Sequence, residues 1–349
     1  MSPRTLIALG VAVLGACSST VKVDVTGRMP ERVVLDEGMA EILRSARERM
    51  ESGDARGASD RYASLAASHP GDPWLAALAQ EARYEALGVD SEELAVNLRR
   101  SYRETAEAQP SPLRLMLAAR AEPDAYAALN LADHALALDP EFAWGHYARA
   151  HALSRLGETE AARLAVERAV VLDAGHLPAW WLLAWLRSHA GEQDVAIATW
   201  TAWLEVAAQD PRVSTEALTT AECDLGVLLV RAHRYDEALA VLAAAELDSS
   251  GRSSSVLAAA EVEAGELDAA LASVRSARER APDSLLYVVQ EALLLERRAP
   301  NSREAVAAWQ EVYDRTEGVT DLSALLQRAR AEAHLSTIKR EPPSVGTAD

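Results

Sequence analysis

The chain has 349 residues, 49% of them hydrophobic and 25% charged, enough apolar material for a large core and too much for a disordered polypeptide. Fifty-three acids against thirty-five bases give a net charge of -18, which argues against nucleic acid and anionic membrane surfaces as partners. Two cysteines exclude a disulfide scaffold, and the two lysines, Lys22 and Lys339, follow no phosphate-binding loop, which excludes Walker-type ATPases and disfavours Schiff-base chemistry.

The first element is an address. One arginine, Arg4, precedes an apolar run from Leu6 to Ala16, and Cys17 follows it. A bilayer core asks for about twenty apolar residues, so this run is a signal rather than a membrane span. The stretch Leu14-Gly15-Ala16-Cys17 resembles the lipobox of bacterial lipoproteins. That resemblance implies cleavage after Ala16 and acylation of Cys17, leaving residues 1–16 as signal peptide, and several acyl chains on one residue anchor a protein stably. Ser18 matches the family's outer-membrane sorting choice, so the expected location is the periplasmic side of an outer membrane, lipid-anchored. Residues 17–37 read as the lipidated cysteine and a linker, because Val21, Val23 and Val25 have no second strand-like run to pair with.

From Glu37 onward the apolar residues recur at helical spacing in segments of ten to fifteen, divided by Gly, Pro, Asp or Ser. In chain order the breakers within helix pairs stand at Gly53, Gly88, Pro123, Gly157, Gly191, His233, Gly265 and Pro300. Past Gly53 come Ala58, Tyr62 and Leu65; past Pro123, Ala128, Ala132 and Ala135; past Gly265, Ala270, Val274 and Ala277. His233 is followed by Ala238, Leu242 and Ala245, and Pro300 by Ala305, Trp309 and Val312. The unit at Gly88 is degenerate: Glu93 takes the small position, and Leu94 and Leu98 fall one place late. An insertion is expected near Gln209 to Thr219, where the interval between breakers lengthens.

Gly157 and Gly191 stand 34 residues apart, and the segments around them resemble tetratricopeptide repeats in detail. Ala150 and Ala184 precede the glycines where two helices must approach closely. Ala162 and Ala196 follow as the small residues of the second helix, with Val166 and Ala169, or Trp200 and Trp203, as its apolar stripe. Trp180 and Leu183 match the large residues of the first helix. The resemblance implies an all-α fold, a right-handed superhelical solenoid of about eight helix pairs over residues 38–318. A covering helix is expected over 319–340 and a disordered tail over 341–349.

No catalytic constellation emerges. HExxH, GxSxG and strand-borne GxGxxG are absent, as are paired cysteines for zinc, and His146 and His151 fall on different helix faces. The reading is therefore of a protein that is not an enzyme, with no cofactor, no metal and no small-molecule substrate. Cys223 reads as a small helix residue. Tetratricopeptide arrays are scaffolds, and their groove is lined by the first helix of each pair. Here that side carries Trp144, Tyr147 and His151 in the fourth unit, and Trp181, Trp185 and Ser188 in the fifth. Leu113 and Leu117 extend it into the third unit, and Val227 and Val230 into the sixth. An apolar, aromatic-rich patch follows, suited to a partner's helix or extended peptide, although Trp181, beside core-matched Trp180, is open between groove and core. With the lipobox, the resemblance implies a membrane-tethered adaptor of envelope assembly, of the pilus or secretin, outer-membrane barrel or cell-wall type. The alternative is a cytoplasmic adaptor whose N-terminal apolar run is not a signal.

Overall fold

The structure is a computed structural model that describes residues 29–88, 91–244, 251–319 and 321–340. The lipobox with Cys17, the linker up to residue 28, Ala245 and the tail from residue 341 lie outside the described residues. Among those described there are seventeen α-helices and no strand. The chain divides into two compact units, Met1–Arg212 and Val213–Asp349.

The first unit is a stack of hairpins. Its helices are α1 (Glu37–Glu51), α2 (Ala55–Ser68), α3 (Pro73–Glu85), α4 (Glu92–Ala108) and α5 (Pro112–Ala121). They continue with α6 (Ala125–Leu138), α7 (Ala143–Arg155), α8 (Thr159–Leu172), α9 (Leu177–Ala190) and α10 (Gln193–Ala207). Short polar side chains start many of them: Asp36, Asp54, Asp72, Ser111 and Asp124 each accept an otherwise unpartnered amide of the first turn. Prolines open α3 and α5, where the missing N–H is not needed.

Hairpins close because Gly157 and Gly191 take left-handed φ values of 79° and 78°. A Cβ would meet nothing within 4 Å at either position, so glycine is favoured there by backbone conformation and not by space. The small residues then let the helices meet: Ala150, Ala162, Ala184 and Ala196 are completely buried, with Val166, Ala169, Trp180, Leu183, Trp200 and Trp203 packed around them.

The pair expected at Gly88 does not form a packed hairpin. Helix α4 rests on α5 instead, through Ala106 and Tyr102 against Leu115 and Ala118. With its apolar residues out of register, α4 leaves Leu94 54% exposed.

The linker's described end is also not free. Residues 29–36 form an extended strap along the fifth hairpin. The Glu31 N–H donates to the Ala174 carbonyl at 2.9 Å, and Arg32 donates to Gln209 Oε1 at 2.7 Å. Gly175 permits this approach, since a Cβ there would come within 2.6 Å of Val33 Cγ2.

The second unit contains α11 (Thr215–Arg231), α12 (Tyr235–Ala244), α13 (Arg252–Ala264) and α14 (Leu267–Arg280). It ends with α15 (Leu285–Arg298), α16 (Arg303–Arg315) and α17 (Leu322–Arg340). The insertion takes the form of an irregular segment after α10 and of the seventeen-residue α11. Ala270, Val274, Ala305, Trp309 and Val312 are buried in one cluster, to which α17 adds Ala331, and Ala277 is buried as well. In place of glycine, His233 and Asn301 carry the left-handed turns at φ 58° and 59°, so at the last pair the turn lies one residue beyond Pro300. Cys223 is buried in α11.

Candidate functional site

The inner face of the first unit is built from the first helices α3, α5, α7 and α9. Seven of the eight tryptophans lie in this unit, and their geometry decides which part of the face is open.

Trp144 on α7 is only 5% exposed. Its indole lies 4.1 Å from the His176 ring, 5.8 Å from Tyr147 and 6.3 Å from Trp74 on α3. Arg212, in the segment after α10, covers the other ring of this group, with its guanidinium 3.8 Å from the Trp74 centroid. Asp210 holds that guanidinium in place, accepting from Nε at 2.9 Å and from Nη2 at 2.6 Å. The stack therefore curls far enough for α3 to meet the fourth and fifth hairpins, and Trp144 belongs to their common core instead of presenting a docking surface.

His176 sits at the centre, 1% exposed. Its Nδ1 accepts the Ala179 N–H at 3.2 Å and so caps α9, which leaves the proton of the neutral ring on Nε2, a buried atom without a partner. Burial first, and then the charges of Arg120 and Arg212, push the imidazole down to about 3. Burial raises the neighbouring Tyr147 phenol above its ordinary range. Burial, followed by Arg120 and Arg155, lowers His151.

Beyond this plug the face is open. Tyr147 and His151 are brought together, their rings 6.5 Å apart, on the wall of a cavity of about 140 Å³ between α5, α6 and α7. Ala119, Ala128, Ala148 and Ala152 form its floor, and Arg120 completes the rim. Leu113 and Leu117 line a different pocket, of about 330 Å³, with Arg83, Tyr102 and Arg114. Trp181, half-buried, packs edge-on against Trp200 at 5.6 Å and so joins the core side. Trp185 is half-buried and stacks on His189 at 3.9 Å, while the Ser188 hydroxyl accepts the Trp200 indole N–H at 3.3 Å. Val227 and Val230 are half-buried on α11 of the second unit.

Sequence reasoning did not find Arg120, Gln80 or His176. Arg120 was within reach, since it lies three residues past Leu117 and shares its helix face. Gln80 carried no such signal: it is a buried amide on α3 that donates to the Leu117 carbonyl at 2.8 Å and accepts from Arg120 Nε at 3.3 Å. His176 stands in a turn, where nothing in the local pattern marks burial. Among the described residues no group of three His, Cys, Asp or Glu converges to hold a metal, and no helix is long and apolar enough to cross a membrane.

No protein-family model and no curated protein matches the sequence. Solved structures do match. The crystal structure of the APC/C hetero-tetramer Cut9-Hcn1 superposes with a TM-score of 0.58 at 13% identity, over 79% of this chain and 52% of the matched chain. The present chain thus spans about half the length of that relative. PilW, described as a widely conserved type IV pilus biogenesis factor, matches with a TM-score of 0.50 at 14% identity, over 68% of this chain and 100% of its own. YrrB, described as a TPR protein with an unusual peptide-binding site, matches at 18% identity over 57% of this chain and 97% of its own, with a TM-score of 0.45. The fold is the all-α tetratricopeptide type of stacked helix hairpins.

Proposed function

We propose that this chain is a non-enzymatic tetratricopeptide scaffold that binds an extended peptide or helix of a protein partner on the inner face of its first unit, and that acylation of Cys17 tethers it to the bacterial outer membrane. The observation that carries the binding half is the open part of that face: Tyr147, His151 and Arg120 around an alanine-floored cavity, with half-buried Trp185 on the next hairpin. Partly exposed aromatic and arginine side chains over a preformed pocket suit recognition, because they bring large contact area at little conformational cost. The tether rests on Leu14 to Cys17 alone. Envelope assembly is the setting in which a tethered scaffold of this kind works, and the fold likeness to PilW is compatible with it.

A photo-crosslinking residue placed at Tyr147 or Trp185 in cells tests the face, with the exposed Leu164 on α8 as control. The expected result is a protein adduct of defined mass from positions 147 and 185 and none from 164; equal labelling at all three overturns the site. Palmitate labelling with fractionation tests the tether. Cys17→Ser is expected to give an unlabelled, soluble or uncleaved chain; normal membrane retention and maturation of that variant would overturn the tether, and a wild-type chain that is soluble and unlabelled would return the cytoplasmic reading.

A further inference from the structure

Resting on the reading that the first unit's inner face takes a peptide, we propose that the cavity rimmed by Arg120, Tyr147 and His151 is a subsite for the side chain of a glutamate in that peptide.

Charge selects the ligand class. Among the described residues no carboxylate pairs with Arg120; its Nε donates to the neutral amide of Gln80. Gln80 is itself fixed, 3% exposed and tied to the Leu117 carbonyl at 2.8 Å, so it sets the direction of the guanidinium. The remaining guanidinium N–H groups lie beside the Tyr147 phenol and at the cavity rim. An arginine held by a neutral partner, in a chain of net charge -18, keeps its positive field for something that is not part of the chain. The field is felt nearby, since Arg120 contributes to depressing both His151 and His176. Glu81 on α3 is the acid facing this region, and it acts on the Tyr147 phenol.

Shape narrows the class to one side chain. A cavity of about 140 Å³ is close to the roughly 150 Å³ space that accepts a benzene ring, six heavy atoms. A glutamate side chain has five. Its two methylenes would rest on the floor of Ala119, Ala128, Ala148 and Ala152, and its carboxylate would reach the guanidinium and the phenol at the rim. Neutral His151 adds a hydrogen-bonding group without a competing negative charge.

The test starts from a random twelve-residue peptide library panned on the full chain. Each recovered peptide is synthesised with every glutamate changed in turn to glutamine, and calorimetry is run on the wild-type chain and on Arg120→Met, which keeps the aliphatic stem. The expected result is one glutamate whose change to glutamine weakens binding to wild type about tenfold or more, while the same change has no effect on Arg120→Met. Peptides that bind but show no such coupling overturn this subsite and leave the peptide-binding reading standing. A library that yields no binder to this face overturns both. A charge exchange guards against misfolding of the first variant: Arg120→Glu should recover affinity for the peptide carrying lysine, whose side chain also has five heavy atoms, at the critical position, and failure to do so with a folded variant counts against the proposal.

Discussion

The Arg212 guanidinium lies over the Trp74 ring, 3.8 Å from its centroid, although one residue closes the first unit and the other stands in the first turn of its third helix. Asp210 fixes the guanidinium through two parallel hydrogen bonds, and both side chains of this pair are more than nine-tenths buried. The contact clamps α3 to the end of the fifth hairpin and thereby sets how tightly the first unit curls.

Breaking the clamp from one side is therefore costly. Arg212→Ala removes the cation and leaves Asp210 buried and uncompensated, for an expected loss of about 3–5 kcal/mol in the stability of the first unit. Arg212→Met with Asp210→Asn removes both charges and should cost far less. Chemical denaturation of the two variants distinguishes these outcomes; equal losses would show that packing on Trp74, and not the ion pair, holds the clamp.

His176 makes the same core sensitive to acid. Its folded pKa of about 3 lies below the ordinary histidine value of 6.5, so the unfolded chain takes up a proton that the native chain refuses. Stability from this residue is fully present above pH 6.5 and is lost as pH falls toward 3, at about 1.4 kcal/mol per pH unit. Protonation would also remove the acceptor that caps α9. His176→Asn keeps a capping acceptor and does not titrate. The difference between wild-type and variant denaturation midpoints, followed from pH 7 to pH 4, should change steadily; a constant difference would mean that His176 does not remain neutral in the native state.

The repeats were legible because their signals are local. Gly157 and Ala162, or Gly191 and Ala196, lie within one hairpin, and backbone conformation and helix approach depend on little else. The curl was not legible, because Trp74, Trp144, His176 and Arg212 meet only after several small rotations between hairpins have accumulated. That is why Trp144 reads as a groove residue in sequence and is core in the structure. Arg32 and Gln209 meet across a still longer interval, so the strap too reads as plain linker. Helix α4 shows the converse: the register slip at Leu94 was visible, and the structure gives it a physical meaning in a helix that packs on only part of its surface.

At His233 the chain spends conformational energy that glycine would not. A side chain in the left-handed region costs about 1–2 kcal/mol, and glycine visits that region freely. Against this, His233→Gly loses a 2.6 Å contact between the imidazole and the Tyr235 hydroxyl, at an exposed site where such a bond contributes little. The second unit should gain up to about 1 kcal/mol, read as a higher melting temperature. A lower one would assign the hydrogen bond the larger share.

Trp144 and Trp185 stood together in sequence as groove residues, and the structure now separates them by magnitude. Trp144 contacts Trp74, Tyr147 and His176 and is buried, so Trp144→Ala opens a cavity at the centre of the curl and should cost about 3–5 kcal/mol of stability. Trp185 stacks on His189 of its own helix and remains half-buried, so Trp185→Ala removes little that other hairpins depend on. As a recognition residue it should instead weaken partner binding by about 2 kcal/mol or more. Both variants are to be measured by thermal melting and by pull-down from envelope extracts, on the fraction that remains folded. The expected pattern is a large fall in melting temperature for Trp144→Ala and lost capture with a near-normal melting curve for Trp185→Ala. If Trp185→Ala melts as low as Trp144→Ala while its folded fraction captures partners normally, Trp185 is a packing residue and the binding face ends at Arg120, Tyr147 and His151.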